Sequence, residues 1–108
     1  MAPKRYEIYC ADLSPTVGGE TQKTRPIVVV SKSAMNRYLN TVIVCPLTSK
    51  LHSNWRSRIQ IRCAGKEAEI AVDQIRTISK KKLRNRIDVL SPDDTSRLCN
   101  LIIEMYGY

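Results

Sequence analysis

The sequence predicts a mostly-β fold with helices: a small, half-open antiparallel barrel closed by a C-terminal helix. Three observations carry this. Short β-branched or alternating apolar runs recur through most of the chain, clearest at Ile27–Val30, Thr41–Leu47 and Ser57–Cys63. Proline, glycine and polar clusters punctuate them. One well-marked helix comes last. Five or six short strands in 108 residues must curl to bury their apolar faces, and a barrel does this economically.

The elements follow in order. Tyr6–Leu13 alternates loosely and reads as a first strand. Ser14–Thr24 is a loop with Pro15 as turn former and Gly18-Gly19 as a flexible pair. Pro26 cannot donate to a ladder and belongs at a strand start. Ile27, Val28, Val29 and Val30 then read as a strand buried on both faces. Ser33 is placed to cap a short helical turn that Asn40 ends. Thr41–Leu47 is the third strand, with Pro46 near its end.

Ser57–Cys63 alternates cleanly, with Ile59, Ile61 and Cys63 inward and Arg58, Gln60 and Arg62 on a basic outer face. Gly65 marks a turn. Glu69–Val72 and Gln74–Ile78 form one bent strand or two short ones, and Ser79 starts a basic helical turn with Leu83. Ser91 suits an N-cap, Pro92 the first helical position, and Asp93 and Asp94 the positive end of the helix dipole. Leu98, Leu101, Ile102 and Met105 recur at helical spacing, and Gly107 closes the helix. That stripe is core or subunit interface, and its extent points to a homodimer.

Length predicts one domain over residues 1–108. No apolar run approaches the ~20 residues of a membrane span. Met1–Arg5 leads into Tyr6 and Glu7, not an apolar segment, so the expected location is cytoplasmic. Cys10, Cys45, Cys63 and Cys99 are widely spaced and read as reduced core or near-core residues, without zinc spacing. His52, the only histidine, sits in a polar loop.

The formal charge is +8, and Arg76–Arg86 holds six basic residues and no acid. Such a surplus favours polyanions, nucleic acid first, although most charge runs are solvated faces. No hydrolase elbow, P-loop, zinc motif or dinucleotide turn occurs. No acidic cluster suits a Mg²⁺ nuclease, so neither metal nor cofactor is expected. Phosphoryl chemistry here falls to Arg, Thr, Ser, Glu or Tyr.

Ala11-Asp12-Leu13-Ser14-Pro15-Thr16-Val17-Gly18, Glu20 and Thr24-Arg25-Pro26 resemble the N-terminal signature of the MazF/PemK family. Thr41–Val44 with Pro46-Leu47-Thr48-Ser49 resembles its second block, and Gln74–Ile78 with Leu83 its third. The resemblance implies an SH3-like barrel, a homodimer and a toxin that cleaves single-stranded RNA without metal. It implies 2′,3′-cyclic phosphate and 5′-hydroxyl ends, and a cognate acidic, MazE-like antitoxin. The family's catalytic arginine and threonine fall on Arg25 and Thr48, its loop glutamate on Glu20 and its third-block glutamine on Gln74. RNA contacts are expected from Thr16, Gly18, Gly19, Thr21, Ser31, Ser49, Arg58, Asp73, Gln74, Lys80, Lys81 and Lys82.

Physical chemistry supports part of this. Attack by a 2′-hydroxyl loads a phosphorane with negative charge, and a guanidinium binds two of its oxygens at once. Arg25 suits that clamp, not a base, since it stays protonated. Thr48 offers a hydroxyl to the same phosphate. Glu20 is an ordinary candidate base, and the general acid and base stay open. Two other readings stand beside this one: a CcdB-like toxin that binds a protein such as DNA gyrase, and a non-catalytic nucleic-acid-binding module.

Overall fold

The computed structural model describes residues 2–13 and 24–107. Among these, seven strands and two helices run in the order β1 (Glu7–Asp12), β2 (Thr24–Val29), α1 (Ser33–Tyr38), β3 (Thr41–Thr48), β4 (Arg58–Cys63), β5 (Lys66–Ala71), β6 (Arg76–Ser79), β7 (Leu83–Val89) and α2 (Pro92–Tyr106). The strands form a curled sheet, β4-β5-β3-β2-β1-β7, with β6 also on β3. Every pairing is antiparallel.

The β-branched run of β2 sits at the centre because both its faces are apolar. Val28 and Val30 enter a large core with Ile8, Leu47, Ile70 and Leu98. Ile27 and Val29 enter a smaller one with Ala11, Val42, Val44 and Ile78. Ile27, Val28 and Val29 have no exposed surface, as the run predicts.

β3 gives one edge to β2 and divides the other. Thr41–Val44 pair with β6, and Leu47 and Thr48 pair with β5. Between those ladders, Val72–Gln74 makes a 3₁₀ turn opposite Cys45 and Pro46. Of the two expected alternatives, one bent strand or two short ones, the chain forms two strands. Pro46 lies inside β3, at the break in the second ladder, so its missing N–H falls where that ladder is interrupted.

β4 and β5 form a tight hairpin through Ala64 (φ 51°) and Gly65 (φ 80°). Two positive φ angles are what a type I′ turn requires, and its twist matches that of the strands. The Ala64 N–H donates to Asp88 Oδ2 at 2.8 Å, tying the turn to β7.

Three expectations change. Ser79 does start a short turn: its Oγ accepts from Lys81 N at 3.2 Å, capping a 3₁₀ turn over Lys80–Lys82. From Leu83, however, the basic run is strand β7, paired with β1 through two register shifts. That strand has no clear apolar alternation and is held by its ladder. Second, α1 is capped by no side chain: Lys32 occupies the cap, and Ser33 Oγ instead accepts from Arg5 N at 2.9 Å. Third, Leu98 is fully buried, and Leu101, Ile102 and Met105 pack on the same core. One chain accounts for the stripe, so it no longer argues for a dimer.

α2 begins and ends as its sequence predicts. Ser91 Oγ accepts from Asp94 N at 3.2 Å. Gly107 N donates to Ile103 O at 2.8 Å, and a Cβ on Gly107 would stand 2.7 Å from that oxygen. Truncating Leu98 to alanine would cost about 2–5 kcal/mol.

Candidate active site

Arg25 and Thr48 come from neighbouring strands. The β2–β3 ladder pairs Ile27 with Pro46. Continuing that register by two residues sets Arg25 opposite Thr48. Across the other edge of β3, Thr48 pairs with Glu69, and Glu69 pairs with Gln60. Directly opposed residues share a face, so Arg25, Thr48, Glu69 and Gln60 form one polar row over four strands. Glu67 and Arg62 form the next row on that face.

A pocket of about 620 Å³ opens there, with Arg25, Thr48, Ser49, Lys50, Lys66 and Glu67 among its lining residues. Arg25 is exposed, and no described residue pairs with its guanidinium. Thr48 Oγ1 accepts from Lys50 N at 3.1 Å, which fixes the oxygen and leaves its proton to be donated outward.

Beside Thr48, Glu69 is fully buried. Its carboxylate accepts from the His52 backbone N–H, from Gln60 Nε2 at 2.7 Å and from Arg58 Nη1 at 2.9 Å, and meets His52 Nδ1 at 3.0 Å. Burial alone would raise its pKa. The bonds from the His52 backbone and ring, Gln60 and Arg58 override that and hold it at about 2. An ionised carboxylate only accepts, so His52 Nδ1 carries the proton. The 3.4 Å approach of Arg58 Nη1 to His52 Nδ1 is then a contact between two donors, not a hydrogen bond.

Arg58 also donates to Asp73 Oδ1 at 2.7 Å. The Asp73 bond raises the Arg58 pKa further, against burial and with help from Glu69. Trp55 stacks on His52 with centroids 4.0 Å apart, and its ring lies 4.7 Å from the Arg58 guanidinium carbon.

The structure sorts the expected site residues. Arg25, Thr48 and Ser49 meet in the pocket. Arg58 does not belong to a solvated basic face: its side chain is 5 % exposed and doubly paired. Ser31 is buried, donating to Asn36 Oδ1 at 2.6 Å and accepting from Ile43 N, so it anchors α1. Asp73 and Gln74 lie on the 3₁₀ turn between β5 and β6, with Asp73 bound to Arg58. Lys80 Nζ donates to Asn36 O at 2.6 Å, while Lys81 is exposed.

Lys80–Lys82 follow β6 beside Thr41, at the far end of β3 from Thr48. Seven residue-to-residue steps along the strand separate those ends, about 23 Å. Thr16, Gly18, Gly19, Glu20 and Thr21 lie outside the described residues. Glu69, Glu67 and Lys66 were not expected at the site. A lone acid in a half-apolar strand reads as a solvent face, and only the pairing of β5 with β3 reveals otherwise.

The family model for the PemK-like, MazF-like toxins of type II toxin–antitoxin systems matches residues 4–106. This chain belongs to the PemK/MazF toxin family. The MazF fold recurs in a MazE–MazF structure from Deinococcus radiodurans, at TM-score 0.85 and 17% identity over 99% of this chain and 98% of the other. It recurs in a mycobacterial endoribonuclease in complex with its cognate antitoxin, at TM-score 0.82 and 21% identity over 98% and 96%. At these identities the likeness establishes the MazF fold. No helix among the described residues is long and apolar enough to cross a membrane.

Proposed function

We propose that this chain is a metal-independent endoribonuclease toxin that cleaves single-stranded RNA and is neutralised by an acidic antitoxin. The observation that carries this is an exposed Arg25, unpaired among the described residues, lining one open pocket with Thr48. The 2′-hydroxyl gives up its proton and its oxygen attacks the adjacent phosphorus, the P–O5′ bond breaks, and O5′ takes up a proton, so the ends are a 2′,3′-cyclic phosphate and a 5′-hydroxyl. Arg25 binds the non-bridging oxygens as charge builds, which is worth more in a preorganised site than in water. Thr48 donates its hydroxyl to the same phosphate. Lys50 and Lys66 line the pocket and add to the field that draws a polyanion.

The mycobacterial relative is named as bound to its antitoxin, and the Deinococcus structure as MazE–MazF. For this +8 chain the matching partner is an acidic, disordered segment that competes with RNA. A homodimer is part of the proposal, supported by the exposed apolar side chains of Met35, Tyr38 and Leu39 on and just after α1. The deciding experiment incubates purified protein with single-stranded RNA in excess EDTA and maps the ends. Cyclic phosphate and 5′-hydroxyl ends are expected, and strict dependence on Mg²⁺ would defeat the mechanism. Saturating antitoxin that leaves RNA bound but uncleaved would defeat the competition model.

A further inference from the structure

We propose that Glu69, acting through His52, is a positioning residue for Thr48. The inference rests on the reading of Arg25 and Thr48 as the RNA-cleaving pair, and its test is chosen to separate the two.

The argument starts with the chain after β3. Thr48 ends the strand, and the residues beyond it have left every ladder. A hydroxyl at such a boundary is placed only as well as the segment that follows it. Here that segment is fastened twice. Lys50 N donates back to Thr48 Oγ1 at 3.1 Å. Two residues on, both the backbone N–H and the Nδ1–H of His52 end on the Glu69 carboxylate.

Glu69 stands across the ladder from Thr48, so the fastening point and the hydroxyl share one rigid frame. Gln60 and Arg58 hold the carboxylate from β4, and Asp73 holds Arg58 in turn. Trp55 stacks on the His52 ring and limits its tilt. A fully buried carboxylate with four donors is costly unless each bond is made, and two of the four come from the segment behind Thr48. His52 itself is not among the pocket's lining residues, and its Nδ1 is turned inward. Its role is therefore to orient, not to transfer a proton.

The test compares full-length His52→Ala, His52→Asn and Glu69→Gln with the native chain, using single-stranded RNA in EDTA. Asparagine keeps a donor near the place of Nδ1 and removes Nε2. His52→Ala is expected to lower kcat roughly 10–100-fold, the scale for a misplaced reacting group, with KM nearly unchanged. His52→Asn should recover most of that loss. Glu69→Gln should lower kcat at least as far.

Amide exchange supplies a readout that needs no catalysis. The Lys50 and His52 amides should exchange slowly in the native chain and faster in Glu69→Gln, while those of β2 stay protected. Unchanged kcat in His52→Ala would overturn the proposal. So would His52→Asn as impaired as His52→Ala, which would mean that Nε2 does chemistry. If the native chain cleaves no RNA but the exchange pattern appears, the nuclease reading fails and the fastening stands. If Glu69→Gln does not fold, the His52 variants, altered at a partly exposed side chain, still decide.

Discussion

Thr48 and Glu69 face each other across the two-residue ladder between β3 and β5, one half-buried with its proton to give, the other fully buried and ionised. The pairing sets the Thr48 hydroxyl beside a carboxylate that already accepts from four donors. Glu69 cannot take up a proton without losing one of those bonds. Glu67, one row along, is exposed and is among the residues that line the pocket.

Arg25→Ala is predicted to lower cleavage on the order of 10²–10³-fold, the loss typical of one preorganised charge donor. Because Arg25 is exposed and unpaired among the described residues, the fold should survive. Cleavage rates and circular dichroism of the same sample check both halves. A near-native rate would remove Arg25 from the mechanism.

Stability should fall on the acid side. The folded Glu69 titrates at about 2, below the ordinary carboxylate value of 4.5. A depressed folded pKa gives stability that is full above the unfolded value and is lost as pH drops towards the folded one. Asp73, with its Arg58 partner, is lowered in the same direction against the raising effect of burial. Urea midpoints should therefore drop between about pH 4.5 and 2, and Glu69→Gln should flatten that drop.

Ala64→Asn is predicted to stabilise the fold. Alanine at φ 51° pays the left-handed penalty, whereas Asn-Gly is the preferred type I′ pair. A gain of up to about 1 kcal/mol in chemical denaturation is expected. A loss would show that the Asn side chain disturbs the bond from Ala64 N to Asp88.

The thiols should differ in reactivity. Burial, with a smaller contribution from Asp73, pushes the Cys45 thiol up to about 12. Cys63 is also raised, chiefly by burial. Cys10 and Cys99 are only half-buried. Alkylation near pH 8 followed by mass spectrometry should label Cys10 and Cys99 first, and Cys45 only on unfolding. Early Cys45 labelling would mean that the core around β3 opens readily.

Much of this was legible in the residues. The unbroken run Ile27–Val30 has no polar position to expose, so it had to be buried on both sides. Ser91-Pro92-Asp93-Asp94 sets a helix start by local chemistry alone. The block residues Arg25 and Thr48 do meet. β7 was not legible, because Leu83–Val89 is mostly polar and exposed, and its strand geometry comes from β1. Nor was the fate of Arg58 and Glu69. In isolation each looks like solvent-facing charge, and each is buried only because the other is there.

The outermost strands of the sheet, β4 and β7, share no ladder. Side chains join that margin instead: Asp88 takes the Ala64 amide, and Arg97 of α2 donates to the Gln60 carbonyl at 3.0 Å. The β4–β5 hairpin thus hangs from the rest of the sheet by two ladder pairs on β3, packing, and a few polar clasps. It carries Glu67, Lys66 and Glu69. Ile59, Ile61, Cys63 and Ile70 seat it in the large core, so amide exchange along β4 and β5 is the measurement that tells whether the hairpin opens apart from the rest. Conditions that loosen the hairpin alone would unmake the pocket while β1, β2 and β3 stay paired, a loss that circular dichroism would not register.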